Sequence, residues 1–227
     1  SQHIIGITGE MGSGKSTLSR EISDKAREYH LPCTVIEFDT IAHDIYTSLH
    51  DPIYVNVRNA IAKEFWNEVQ NKDGTIDRKR LWKIVMEDSL ALSKLNELLK
   101  RPMLLRYQDL IRWKTWLIIV DAALLVEFDF THLSNHHLIL VDADRQVRLD
   151  RVQNRYAQKW EVKSREEIDT MFSRQKSNIE KIELIRAKIA KEQNGSLHTC
   201  NTTHEKPDAR IELFHILNQV DTFWELR

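Results

Sequence analysis

Six glycines, four prolines and two cysteines are all that this chain of 227 residues holds, and each scarcity excludes something. Cys33 and Cys200 lie far apart and without metal spacing; two buried, reduced thiols of a cytoplasmic protein are expected. The ten histidines show no ligand spacing either, so no zinc is expected, and His136-His137 is placed at the surface. No run of about 18 apolar residues occurs, so no membrane span is expected. The amino terminus opens directly on an apolar stretch, and no signal peptide is expected. The net charge is −1. Such a chain has no global field to draw in nucleic acid or an anionic membrane, so any anion must be captured by local geometry. There is no repeat and no low-complexity segment. What is present is ordinary for a globular core: 41% apolar and 30% charged residues.

Four short runs rich in Ile, Val and Leu stand out: 3–8, 33–38, 117–122 and 137–142. They are nearly continuous rather than alternating, as strands covered on both faces are. Residues 196–200 form a weaker fifth. Helical spacing fills the intervals. It predicts a helix over 15–29, and amphipathic helices over 77–88 and 89–100, the latter with Leu90, Leu92, Leu95, Leu98 and Leu99 on its apolar stripe. Pro102 is expected to break or kink the path. Asn71–Gly74 reads as a turn. A helical block over 144–194 is broken near 159–164, and a last helix begins near Pro207 with proline in its first turn. Trp113 and Trp116 are assigned to core or hinge packing. Strands alternating with helices predict an α/β fold with a parallel, five-stranded sheet. The stretch 40–114 is too long for a loop and reads as a helical insertion at the sheet's ligand edge. The chain is expected to be one domain, with a core of 1–39 and 115–144, the insertion 40–114, lid helices 145–194, and a last strand and helix in 195–227.

The glycines concentrate where a strand turns into a helix. Gly9-Glu10-Met11-Gly12-Ser13-Gly14-Lys15-Ser16 fits the phosphate-loop pattern G-x-x-x-x-G-K-S/T. Glycine lets the backbone turn successive N–H groups toward a phosphate, and the following helix adds the positive end of its dipole. Lys15 would place a point charge on the β- and γ-phosphates of ATP, Ser16 would offer its hydroxyl to Mg²⁺, and Thr17 would help hold the α-phosphate.

Other phosphate-loop classes fail on composition. A GTPase carries Asp-x-x-Gly, but the residues three before each glycine are His3, Gly6, Gly9, Met11, Asn71 and Glu192. A transporter-type ATPase needs a second glycine-rich loop, and no glycines remain for one. A small-molecule kinase is left. Its acceptor hydroxyl needs a base, and Asp39, just past the second strand, is the candidate; a helix N-cap is its other reading. Asp121 ends the third strand and would touch Mg²⁺ through water or orient Ser16, or else merely close a turn. Glu127 is a weaker candidate behind it. Arg145, Arg148, Arg151, Arg155 and Lys159 recur at helical spacing. Arg151 and Arg155 are the candidates for phosphate contact, and the others are placed at the surface. A nucleoside kinase and an ATP-binding module without activity remain alternatives.

In order along the chain, these segments resemble the dephospho-coenzyme A kinase family. "TGEMGSGKST" is similar to its TGxxGSGKST, "VIEFDTIA" to VIDADxIA, "LNELLKRPML" to LNxLxHPxI and "ALLVE" to PLLxE. "DGTIDRKRL", the lid segment "LDRVQNR" and Gln175 follow the pattern as well. The resemblance implies a three-layer α/β/α P-loop NTPase core with a helical coenzyme-A domain and a lid. It implies transfer of the ATP γ-phosphate to the ribose 3′-hydroxyl of dephospho-coenzyme A with Mg²⁺. It makes Asp39, Lys15 and Arg155 catalytic, with Arg78 and Arg101 near the acceptor and Asn201 near the adenine. The partner is then a small molecule, and the chain a monomer or small homo-oligomer. The sequence departs from the pattern at Glu37, Arg101, Ala123 and Tyr156, and at Glu10, where the family often has glycine.

Overall fold

The computed structural model describes residues 1–158 and 163–219. Among them, five strands form one parallel sheet: β1 (Gln2–Thr8), β2 (Cys33–Glu37), β3 (Trp116–Asp121), β4 (His137–Asp142) and β5 (Ser196–Asn201). Their order is β2-β3-β1-β4-β5. β1 therefore runs in the middle, with Ile7 in register with Asp121 of β3 and with Ile139 of β4. Successive side chains point to opposite faces. Ile5, Ile7, Leu117, Ile119, Ile139 and Val141 share a core with α1 (Lys15–Glu28) and α9 (Ala209–Leu217). Their neighbours Ile118, Val120, Leu138 and Leu140 are equally buried on the other face, where α8 (Asn178–Glu192) packs on β4 and β5. Burial on both faces is why these strands read as unbroken apolar runs.

The chain forms two compact units, Ser1–Ile36 with Lys114–Arg227, and Glu37–Trp113. The second unit contains α2 (Phe38–Thr47), α3 (Pro52–Glu64), α4 (Arg78–Glu87) and α5 (Ser89–Ile111). Its centre is tied by Arg58, buried, whose Nη1 donates to the carbonyls of Ile45 and Leu49, both at 2.8 Å, and whose Nε donates to that of Gly74 at 3.0 Å. The expected turn is present: Gly74 N–H donates to the Asn71 carbonyl at 2.9 Å, and Gly74 takes φ +82°. Asp77 and Asp88 cap α4 and α5 with their carboxylates.

Several expectations need correcting. Pro102 does not end its helix; α5 runs through it. The missing N–H costs roughly 3 kcal/mol, but Leu95, Leu99, Met103 and Tyr107 form a buried stripe on both sides of it, and that packing carries the helix on. Leu90, expected on the stripe, is 71% exposed at the helix start. Among its described residues the block 144–194 contains three helices: α6 (Arg145–Gln158), α7 (Arg165–Ser173) and α8. Reciprocal capping boxes at Ser164/Glu167 and Ser177/Glu180 set the two later starts. The stretch 159–162, where the first break was expected to begin, lies outside the described residues. Pro207 precedes the N-cap Asp208 of α9 instead of entering its first turn. His136 is buried, its Nδ1 3.0 Å from the Thr131 hydroxyl, whereas Trp113 is 85% exposed. Both cysteines are free thiols; Cys200 is buried and Cys33 half-buried. Among the described residues no helix is long and apolar enough to cross a membrane.

Candidate nucleotide-binding site

β1 delivers the chain into the glycine turn at the carboxyl end of the sheet. Gly9 and Gly12 take φ +149° and +82°. Side chains there would collide with the walls: a Cβ on Gly9 would fall 2.2 Å from the Val141 carbonyl oxygen, and one on Gly12 2.7 Å from that of Arg148. Backbone angle and space both require glycine. Ser13 N–H closes the turn on the Glu10 carbonyl at 3.1 Å. The N-cap of α1 is Gly14, with no side-chain cap and no acid in the first turn, so the helix's first N–H groups and its positive end stay available to an anion. Lys15 and Ser16 are half-buried and Thr17 is exposed. Ser13 is fully buried, and its hydroxyl has no hydrogen-bond partner among the described residues.

The loop is braced from outside. Met11 N–H donates to Gln175 Oε1 at 2.9 Å, and Glu10 N–H to Asn178 Oδ1 at 3.2 Å. Arg151 Nη1 donates to the carbonyls of Gly12 and Ser13 at 3.2 and 3.3 Å, and to Thr202 Oγ1 at 2.8 Å. Thr202 in turn donates to the Ser13 carbonyl at 2.6 Å. Arg151, expected on a phosphate, donates instead to two carbonyls of the loop and to the hydroxyl and carbonyl of Thr202. Arg155, one turn on, is exposed. Arg148, expected at the surface, is buried: its Nη1 lies 3.1 Å from Glu10 Oε1, and its guanidinium carbon is 4.8 Å from the Phe172 ring centre. Asn201 is exposed at the end of β5 and accepts from Thr203 N–H at 2.9 Å.

Asp121, 3% exposed, ends β3 beside β1. Just beyond it the Ala123 carbonyl accepts from Lys181 Nζ at 2.6 Å and from the Thr8 hydroxyl at 3.3 Å. Lys181 also meets both oxygens of Glu127, at 2.8 and 2.9 Å. Burial pushes the Lys181 ammonium below its ordinary pKa, and Glu127 opposes that shift. Sequence reasoning found Glu127 and missed its partner, as it missed Asn178 and Thr202. Gln175 and Asn201 beside them were in view, but no spacing rule marks a residue that meets the loop only through the fold.

In the other unit Asp39 lies in the first turn of α2 and is exposed. The N-cap is Glu37, which makes no side-chain cap bond; the cap reading of Asp39 is thereby set aside. Arg78 opens α4 and Arg101 lies in α5, both exposed.

A parallel sheet whose central strand feeds a glycine-lined anion loop at an uncapped helix start defines a P-loop nucleotide-binding protein. The family model described as dephospho-CoA kinase matches residues 3–198; the chain belongs to that family. It is 32% identical over 195 residues to the dephospho-CoA kinase of Fusobacterium nucleatum, covering 86% of this chain and 91% of that protein. It is 31% identical to that of Lactobacillus johnsonii, covering 68% and 74%. The crystal structure of TT1252 from Thermus thermophilus shares the fold with a TM-score of 0.62 at 24% identity, over 96% of this chain and 98% of that one.

Proposed function

We propose that this chain transfers the γ-phosphoryl group of ATP to the ribose 3′-hydroxyl of dephospho-coenzyme A, giving coenzyme A and ADP. The observation that carries this reading is the glycine turn itself, fixed from outside by Gln175, Asn178 and Arg151, in a chain of the dephospho-CoA kinase family. The loop N–H groups other than those of Glu10, Met11 and Ser13, which are bonded within the protein, take the phosphate oxygens together with the start of α1. Lys15, whose ammonium makes no hydrogen bond or ion pair among the described residues, supplies the charge over the β- and γ-phosphates. Asp39 receives the proton of the acceptor hydroxyl as the new O–P bond forms and the bond to the β-phosphate bridging oxygen breaks. Arg155 covers the charge that develops on the transferred group, as part of a lid built from α6 and α7; α8, expected in the lid, packs on β4 and β5 instead. Arg78 and Arg101 bind the acceptor.

The residues present fit Mg²⁺. Ser16 and Asp121 offer hard oxygen donors. That is the donor set of an ion bound chiefly through nucleotide phosphates. Bound there, Mg²⁺ would neutralise part of the triphosphate charge.

The test is ADP release with dephospho-coenzyme A, measured against a panel of nucleosides and nucleoside monophosphates. Turnover with dephospho-coenzyme A is expected. Turnover confined to a panel member would replace the acceptor in this reading.

A further inference from the structure

Glu10 places a carboxylate inside a loop built for a polyanion, at a position where similar loops often carry glycine. Left alone, that charge would repel the triphosphate. It is not left alone. Glu10 Oε1 lies 3.1 Å from Arg148 Nη1, with side-chain exposures of 14% and 7%. Glu10 Oε2 accepts from Asn178 N–H, at the first residue of α8, at 3.2 Å. Glu10 N–H returns a bond to Asn178 Oδ1 at 3.2 Å, and Asn178 Nδ2 is itself anchored on Asp142 Oδ1 at 2.6 Å. Arg148 is fixed independently, by Nε donating to the Ala143 carbonyl at 3.1 Å and by the Phe172 ring. The carboxylate is therefore held on the α6–α8 side of the loop by a cation and a helix start, both of which favour it there.

We infer that Arg148 is a positioning residue for nucleotide binding: it neutralises Glu10 and holds its carboxylate away from the phosphate-binding face of the loop. The inference rests on the reading of that loop as the ATP site. Glu10 and Arg148 then form a matched pair, in which loss of the arginine alone releases a negative charge beside the triphosphate and loss of both releases none.

Calorimetric titration of ATP into wild type, Glu10→Gln, Arg148→Met, Arg148→Lys and the double variant Glu10→Gln/Arg148→Met tests this, with thermal unfolding run alongside. Arg148→Met is expected to weaken ATP about tenfold or more, Arg148→Lys to stay within about threefold of wild type, and the double variant to return to within about threefold. An arginine that served only to pack the loop would not be rescued by Glu10→Gln, so a double variant as weak as Arg148→Met overturns the inference. Should Arg148→Met fail to fold, the double variant, which buries no unpaired charge, is still expected to fold and bind; its failure to do either overturns the pairing. A wild-type protein that binds no ATP overturns the reading of the loop as well, an outcome distinct from the other two.

Discussion

Lys181 and Glu127 form an ion pair at 2.8 Å in which the lysine is completely buried. The pair sits directly behind the end of β3, because Lys181 also holds the Ala123 carbonyl two residues past Asp121. A buried charge keeps its place only with full hydrogen bonding, and here three acceptor atoms supply it. Removing one partner strands the other. Lys181→Met should therefore cost about 3 kcal/mol of unfolding free energy, the lower end of what breaking a buried pair costs. Urea unfolding of Lys181→Met, Glu127→Leu and the double variant checks this. The double variant is expected to lose less than the sum of the singles, and strict additivity would deny the coupling.

A pH dependence follows from the edge of the sheet. His215 of α9 lies 4.0 Å, centre to centre, from the His198 ring of β5. Burial and the neighbouring His198 hold its pKa below the ordinary value, with Glu212 opposing. His137 is lowered too, chiefly by burial. With folded values below the unfolded value of about 6.5, the unfolded chain takes up protons first on acidification. The stability these two neutral rings contribute is complete above that value and is lost as pH falls through the folded values. Unfolding temperature should drop between pH 7.5 and 5.5, and His215→Gln should flatten that drop. An unchanged slope would remove His215 as a contributor.

Asp39 gives a cleaner separation than the sequence promised. Glu37 occupies the cap position and Asp39 lies exposed inside the first turn, so no helix cap is lost when its carboxylate is replaced. Asp39→Asn should leave the unfolding temperature nearly unchanged and ATP affinity little altered, while kcat falls by about 10²-fold or more. Unchanged kcat would remove Asp39 as the base.

The strands and the phosphate loop were legible because both are local signals. The run 137–142 coincides with β4, and the glycine spacing coincides with positive φ at Gly9, Gly12 and Gly14. The resemblance carried the rest of the enzyme assignment. What the sequence hid depends on contacts between distant segments. Arg145, Arg148, Arg151 and Arg155 look alike in a helical pattern, yet they end up respectively on Asp169, against Glu10, on the Gly12 and Ser13 carbonyls, and exposed. Lys181 has no periodic or motif signal at all. Pro102 does not break α5, because the buried stripe of that helix belongs to the tertiary core and outweighs the local penalty.

The two arginines once grouped as phosphate ligands should now part company. Arg151 binds the carbonyls of Gly12 and Ser13 and joins them to Thr202, which fixes the stretch of the loop that leads into α1. Arg151→Met removes several charge-assisted bonds, each worth about 1.5–3 kcal/mol. It should weaken ATP by at least tenfold and lower the unfolding temperature, by about 2–4 °C for each kcal/mol lost in a chain of this size. Arg155, exposed and free of such contacts among the described residues, should behave oppositely: Arg155→Ala should leave the unfolding temperature in place and depress kcat more than ATP affinity. Calorimetric titration, thermal unfolding and steady-state kinetics on the two variants resolve the pair. If Arg151→Met kept both its stability and its ATP affinity, the brace would hold nothing. If Arg155→Ala lost affinity and kcat equally, that arginine would act on bound ATP in the ground state alone.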